Sequence, residues 1–260
     1  EVTYRPELGD DPVELRKATY KTRAIVLPPH VVVSEEFLNF SPKLEIVARM
    51  QISSDNTDLD ACARRHVRVL QARSATVRSN AEYLLYGLLM LYRRGMISAL
   101  LGRKIAQVRM GRELSGSTVG LLGLAPVAHT LAPMLKSLGV RLLGYDPAVH
   151  HAADIWNKLG VEPVTLQDML SRSDAISLQM VYASRFRGWI NERLLNHCKP
   201  GQLWVGVSRS SLFDPEALAL ALCDGRIDAC LLDGANPQFA AEGTPLHGIP
   251  NLHLTPRLGS

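Results

Sequence analysis

Long hydrophobic runs are what this sequence most plainly lacks. No stretch reaches the roughly 18–20 apolar residues that span a bilayer, and the best candidate, from Ala81 to Leu91, is broken by Glu82 and stopped by Arg93 and Arg94. A membrane segment is therefore not expected, and the polar, acidic opening EVTYRPELGD does not read as a secretory leader. Cysteine is scarce. Cys62, Cys198, Cys223 and Cys230 form no C-x-x-C pair and no zinc-like spacing, which excludes a disulfide scaffold and a zinc site. Buried free thiols in a reducing cytoplasm are the expectation. Aromatic residues are only 6% of the chain and are not interleaved with the arginines between Arg64 and Arg112, so those arginines read as solvated helix faces with some ligand contacts, not as a nucleic-acid surface. GVSRSS is not the G-x-S-x-G of a nucleophile elbow, and no metal cluster is visible.

What is present is alternation. With 260 residues, 47% hydrophobic and 21% charged, and a net charge of +4, the chain has the composition of a globular protein of one large or two modest domains. TRAIVLP, KLEIVARM and VRVLQA read as strands. SEEFLNFSP and NTDLDACARRHV between them read as helices, the second capped by Asn56 or Thr57. RSNAEYLLYGLLMLYRRG is a long apolar helix, too rich in Leu and Met to lie on a surface, and MISALLGRKIAQVRMGRELSG an amphipathic connector. From Thr118 onward strands are expected at 118–122, 140–145, 174–178, 202–207, 227–232 and 251–254. Helices are expected at 126–138, 150–159, 165–171, 191–196 and 214–224. Such a βαβα rhythm implies parallel sheets with helices on their faces.

The stretch TVGLLGLAPVAHTLAPMLKSLGVRLLGYDP, residues 118–147, runs strand, glycine turn, helix, strand, acidic residue. That is the layout of a dinucleotide-binding unit, but the turn departs from G-x-G-x-x-G. Gly123 keeps the tight turn. Ala125 takes the second glycine's place and is expected to put a methyl in the path of the diphosphate, whereas Ala128, at the third, is tolerated. Pro126 is comfortable at a first helical position but brings no N–H to a phosphate, and Val127 follows it in the turn. Pro133, inside the same helix, costs about 3 kcal/mol unless the helix bends. Asp146 lies about 20 residues beyond the turn, where a carboxylate binds the ribose hydroxyls of NAD and repels the extra phosphate of NADP. Its local alternative is a strand-ending turn held by an Asx contact.

Taken with its surroundings, this unit resembles the NAD-dependent D-2-hydroxyacid dehydrogenases. The resemblance is carried by MGRELSGSTVGLLG, LGYDP, LQDMLSRSDAISL, GWINERLLNHCKPGQLWVGVSRSSLFDPEALALAL, GRIDACLLD and IPNLHLTPRLGS. PKLEIVARM, SSDNTDLDACARRHVRVLQA and SNAEYLLYGLLMLYRR carry it in the first part of the chain. It implies an α/β fold in which residues 77–256 form a doubly wound parallel-sheet, Rossmann-type cofactor domain, including a linking helix and dimerisation segment. Residues 1–76 would form a smaller, flavodoxin-like α/β substrate-binding domain, shortened at its start, and residues 257–260 the beginning of a return toward it.

The family's carboxylate-binding Arg falls on Arg209, its Glu on Asn236 and its proton-transferring His on Arg257. Asn can orient a ring but supplies no charge, and a guanidinium stays protonated at neutral pH. Gln179 stands where a His is frequent beside the nicotinamide, and Asp233 belongs to the cofactor-binding set. Ser53 and Ser54, in Gln51–Ser54, replace the glycine-containing turn that meets the substrate carboxylate. His253 and His247 lie near Arg257 in sequence, but a strand-packing role is the expectation for His253. NAD, a small acid substrate and a homodimer follow from the resemblance. No nucleic-acid or membrane partner does. Two readings stay open: an oxidoreductase acting on 2-hydroxy or 2-keto acids with impaired or altered chemistry, and a pseudoenzyme serving as a ligand-binding or scaffold dimer, as the C-terminal-binding protein corepressors do.

Overall fold

Short β-branched and aliphatic runs bounded by polar caps become buried parallel strands wherever helices can cover them. The computed structural model describes residues 2–28, 30–50, 56–71, 74–94 and 111–259. It divides into two compact units, Glu1–Ala75 and Thr76–Ser260.

In the first unit β1 (Ala24–Leu27), β2 (Ile46–Arg49) and β3 (Arg68–Gln71) pair in parallel in that order. The helices are α1 (Pro12–Thr19), α2 (Glu35–Phe40) and α3 (Leu59–Arg64). Their inward residues Leu15, Leu38, Ala61 and Cys62 share a core with Leu27 and Val47, while Val26 and Leu70, on the other face of the sheet, are exposed. Two expectations are corrected. The α3 cap is Asp58, whose carboxylate accepts the Ala61 N–H at 2.8 Å; Thr57 is instead drawn into a bridge with Val33. The sequence names no element before Thr22, yet Asp11 caps α1 and Pro12 opens it, a pairing that favours a helix start.

The second unit opens with α4 (Val77–Tyr92). Ala81, Leu84, Leu88 and Leu91, at helical spacing, are buried, while Tyr86 and Leu89 are exposed. There follow β4 (Thr118–Leu122), α5 (Pro126–Ser137), β5 (Arg141–Tyr145), α6 (Asp154–Leu159), β6 (Glu162–Pro163), α7 (Leu166–Arg172) and β7 (Ala175–Leu178). The chain continues through α8 (Glu192–Leu195), β8 (Gln202–Gly206), α9 (Pro215–Cys223), β9 (Ile227–Asp233) and β10 (Leu252–Thr255). The seven strands lie in the order β10-β9-β8-β7-β4-β5-β6, all parallel. Strand β4 is thus the origin of both halves, and the β4/β7 boundary is the switch point where ligands of doubly wound sheets collect. Val119 and Leu121 point into the core formed with α4 and α5, and Leu122, Ile176 and Leu178 into the one formed with α7 and α9, the period of two that a strand covered on both faces requires.

The helix expected from residue 150 begins at Asp154. His150 forms a turn instead: its Nδ1 accepts the Ala152 N–H at 3.2 Å and its carbonyl accepts Trp156 Nε1 at 2.9 Å. Of the thiols, Cys62, Cys198 and Cys230 are buried as expected, but Cys223, on the last turn of α9, is exposed. The other face of that helix carries the core residues Leu218, Ala221 and Leu222.

Candidate functional site

Strand β4 delivers Gly123 to the switch point in a conformation only glycine holds easily, φ +99°. A Cβ there would collide with the backbone of Met180, whose nitrogen would stand 2.6 Å away. The turn is fastened from both neighbouring strands. The Gly123 N–H donates to the Tyr145 carbonyl at 2.8 Å. The Gly123 carbonyl accepts Gln179 Nε2 at 2.7 Å, and Gln179 Oε1 in turn accepts the Ser177 hydroxyl at 2.7 Å. Gln179, expected beside a nicotinamide ring, is 4% exposed and ties the turn.

Asp146 makes the local Asx contact and one further bond. One carboxylate oxygen accepts the Leu124 N–H at 2.6 Å and the other the Ala148 N–H at 2.7 Å. The second is the local Asx contact, and the first reaches back to the glycine turn. A carboxylate has about four acceptor positions, so each oxygen keeps capacity for a hydroxyl donor.

Beyond Leu124, Ala125 is the N-cap of α5 without a side-chain cap, Pro126 is the first helical residue and Pro133 lies inside the helix. Ala125 is buried and Pro126 exposed. The Ala128 N–H bends back to the Ala125 carbonyl at 2.8 Å. Among the described residues, Ala125 and Val127 are then the backbone donors at the head of α5 with no assigned acceptor. The helix start is sound, and its capacity for a diphosphate rests on those two groups.

Arg209 follows β8 as the N-cap of a short 3-10 turn, Ser210–Leu212. It is exposed and its guanidinium lies 5.0 Å from the centre of the Tyr182 ring, a cation–π contact that helps to hold it. Below it, Ser208 donates to the Met180 carbonyl at 2.8 Å. Asn236 is exposed. Its Oδ1 accepts the Gln238 N–H at 2.9 Å and caps the 3-10 turn Pro237–Ala240, and its own N–H reaches Ser210 Oγ at 3.4 Å. This side chain is therefore engaged in holding its own loop.

Asp233, at the end of β9, is 5% exposed. It accepts the Thr255 hydroxyl at 2.6 Å and the Leu258 N–H at 2.7 Å on Oδ1, and the Gly259 N–H at 2.9 Å on Oδ2. Between these donors stands Arg257, exposed and at φ +56°. Tyr83 of α4 bonds Thr255 Oγ1 at 2.6 Å, and burial pushes its phenol up to about 12. Tyr83, Thr255 and Tyr182 were not singled out from the sequence. The TP of LTPRLG and the tyrosine spacing of α4 carry no local signature, because what joins them is separated by 172 positions. His253 lies in β10 and is half-buried. Ser53 and Ser54 lie outside the described residues. Among the described residues no group of three or more His, Cys, Asp or Glu side chains could hold a metal ion, and no helix is long and apolar enough to cross a membrane.

Comparison with known proteins agrees with this architecture. The family model described as D-isomer specific 2-hydroxyacid dehydrogenase, NAD binding domain, matches residues 89–259. An (S)-sulfolactate dehydrogenase of Chromohalobacter salexigens is 31% identical over 260 residues, 99% of this chain and 84% of that protein. A D-3-phosphoglycerate dehydrogenase of Mycobacterium tuberculosis is 33% identical over 258 residues, 97% of this chain but 48% of that protein, so the chain spans about half the length of that relative. Among solved structures, the TT0316 protein of Thermus thermophilus superposes with a TM-score of 0.80 at 23% identity, covering 100% of this chain and 81% of that one.

Proposed function

The chain belongs to the D-isomer specific 2-hydroxyacid dehydrogenase family, whose cofactor is NAD, and we propose that it keeps the family's ligand frame while its proton-transfer pair has been replaced. In this reading Thr76–Ser260 is the cofactor unit and Glu1–Ala75 the substrate unit. Asp146 holds the ribose, since its oxygens keep acceptor capacity beyond their bonds to Leu124 and Ala148. The N–H groups of Ala125 and Val127 meet the diphosphate. Gly123 gives the turn its shape, with Pro126 adding no donor. Fewer donors than an intact glycine loop supplies mean weaker binding.

NAD, when bound, supplies the hydride acceptor. The remaining work falls to the chain. Arg209 grips the substrate carboxylate and carbonyl as a fork. Asn236 supplies no charge, and its Oδ1 holds its own loop. Arg257 cannot take up the hydroxyl proton, so oxidation near neutral pH passes that proton to water and is slow. In the reducing direction a guanidinium beside the carbonyl stabilises the developing alkoxide, which takes its proton from water. The substrate class is a small 2-hydroxy or 2-keto acid with a second acid group. The sulfolactate and phosphoglycerate named for two relatives are of that kind, and two exposed arginines, Arg209 and Arg257, suit a dianion.

The observation that carries this reading is the intact clamp of Asp146 on the turn, set against a catalytic pair that holds no base. Its test is calorimetric titration with NADH and NADPH, followed by NADH oxidation with 3-sulfopyruvate and pyruvate. NADH should bind saturably and more tightly than NADPH, Asp146→Ala should weaken it at least tenfold, and turnover should be slow. Absence of binding at millimolar NADH would remove the oxidoreductase reading. The second reading is then a ligand-binding or scaffold homodimer, favoured by the exposed Tyr86 and Leu89 on α4.

A further inference from the structure

We propose that Tyr83, Thr255 and Asp233 form a positioning relay that fixes Arg257 as the residue selecting substrates with a second acid group. This rests on the functional reading above and deepens it. Left-handed backbone is disfavoured for a residue with a Cβ, and such a conformation persists where the surroundings over-determine it. At Arg257 they do. Its own N–H donates to the Thr255 carbonyl at 3.1 Å, and the next two N–H groups, of Leu258 and Gly259, are both taken by the buried Asp233 carboxylate. Asp233 ionised can only accept, so the Thr255 hydroxyl donates to it and the Tyr83 hydroxyl donates to Thr255. The relay thus runs in one direction, from α4 through β10 to β9.

Gly234, at φ +66°, faces Arg257. A Cβ on it would lie 2.7 Å from Arg257 Cγ, so the absence of a side chain there sets the path of the arginine stem. The end of the segment is wedged as tightly, since a Cβ on Gly259 would lie 3.0 Å from Asn80 Oδ1 and Tyr83 Cβ. A turn that served only to redirect the chain would place glycine at the left-handed position. Here three polar side chains are spent on presenting an exposed cation whose guanidinium has no hydrogen-bond or ion-pair partner among the described residues. A forked, fully charged group held in one place is suited to a sulfonate, phosphonate or second carboxylate.

The test compares binding of 3-sulfolactate and lactate to the full chain by calorimetry, with NADH affinity measured alongside. The wild type should prefer sulfolactate, and Arg257→Ala should abolish that preference. Tyr83→Phe and Thr255→Val should cut it about tenfold while leaving lactate and NADH affinities unchanged, and Thr255→Ser should retain it. A purely structural role would lower all three affinities together. An unchanged sulfolactate-to-lactate ratio in Tyr83→Phe and Thr255→Val overturns the relay. Intact NADH binding with no wild-type preference overturns the role of Arg257. If the wild type binds neither NADH nor either acid, the functional reading has failed on its own. Hydrogen exchange then decides the relay: Leu258 and Gly259 amides that lose at least tenfold protection in Tyr83→Phe support it, and unchanged protection overturns it.

Discussion

At residue 257 a guanidinium occupies the position where the family resemblance places an imidazole, and at residue 236 an amide replaces a carboxylate. If these two changes are what disable proton transfer, reversing both should restore it. Asn236→Glu with Arg257→His is expected to give NAD reduction with sulfolactate at a rate well above either single variant. That rate should rise with pH through the imidazole range, near 6.5, because oxidation requires the neutral ring. Histidine also tolerates the left-handed backbone at 257 better than most residues. A flat, background rate across pH 5.5–8 in the double variant would show that the loss lies elsewhere in the site. Gly123 allows a sharper test of geometry. With φ +99° and Met180 N at 2.6 Å from any added Cβ, Gly123→Ala should cost at least about 2 kcal/mol, read as a lowered urea midpoint.

Among the elements, the amino ends of the central strands, opposite the switch point, are held by charge. Lys199 Nζ lies 2.6 Å from Asp174 Oδ1, and the Thr118 N–H donates to Oδ2 at 2.9 Å. These bonds join the starts of β4 and β8 to that of β7. Burial alone would raise the Asp174 carboxyl, but Lys199 and the Thr118 amide more than offset it and hold it below its ordinary value of 3.8. A depressed carboxyl contributes stability that is present above the unfolded value and is lost as pH falls through the folded one. Stability should therefore decline below about pH 4, and Asp174→Asn should flatten that part of the pH–stability curve. Helix α5 offers a second test. Pro133 sits on its exposed side, so Pro133→Ala should raise stability by about 1–3 kcal/mol through the recovered hydrogen bond.

Over the whole molecule, the parallel sheets and their helices were legible because strands such as β4 and β8 are apolar after their first residue and alternate with helical segments. What escaped was either short or non-local. The two-residue β6 exists only by pairing with β5. The inward turn of Gln179 depends on Gly123, 56 positions away. The anchoring of Asp233 depends on donors more than 20 positions downstream. Spacing within a motif cannot show which of a carboxylate's partners come from its own chain. Among the described residues, the core of the second unit is drawn from within it, so a chain begun at Thr76 should fold alone, with one cooperative urea transition.

The uneven burial of the four cysteines has a practical consequence. Cys62, Cys198 and Cys230 are enclosed while Cys223 is open, and burial raises the Cys198 thiol to about 12 and the Cys230 thiol as well, so little thiolate forms at either. A maleimide dye should therefore label the native protein once, at the end of α9. Mass spectrometry of timed labelling would then serve as a clock for opening: each additional adduct marks the moment at which one of the three enclosed positions met water.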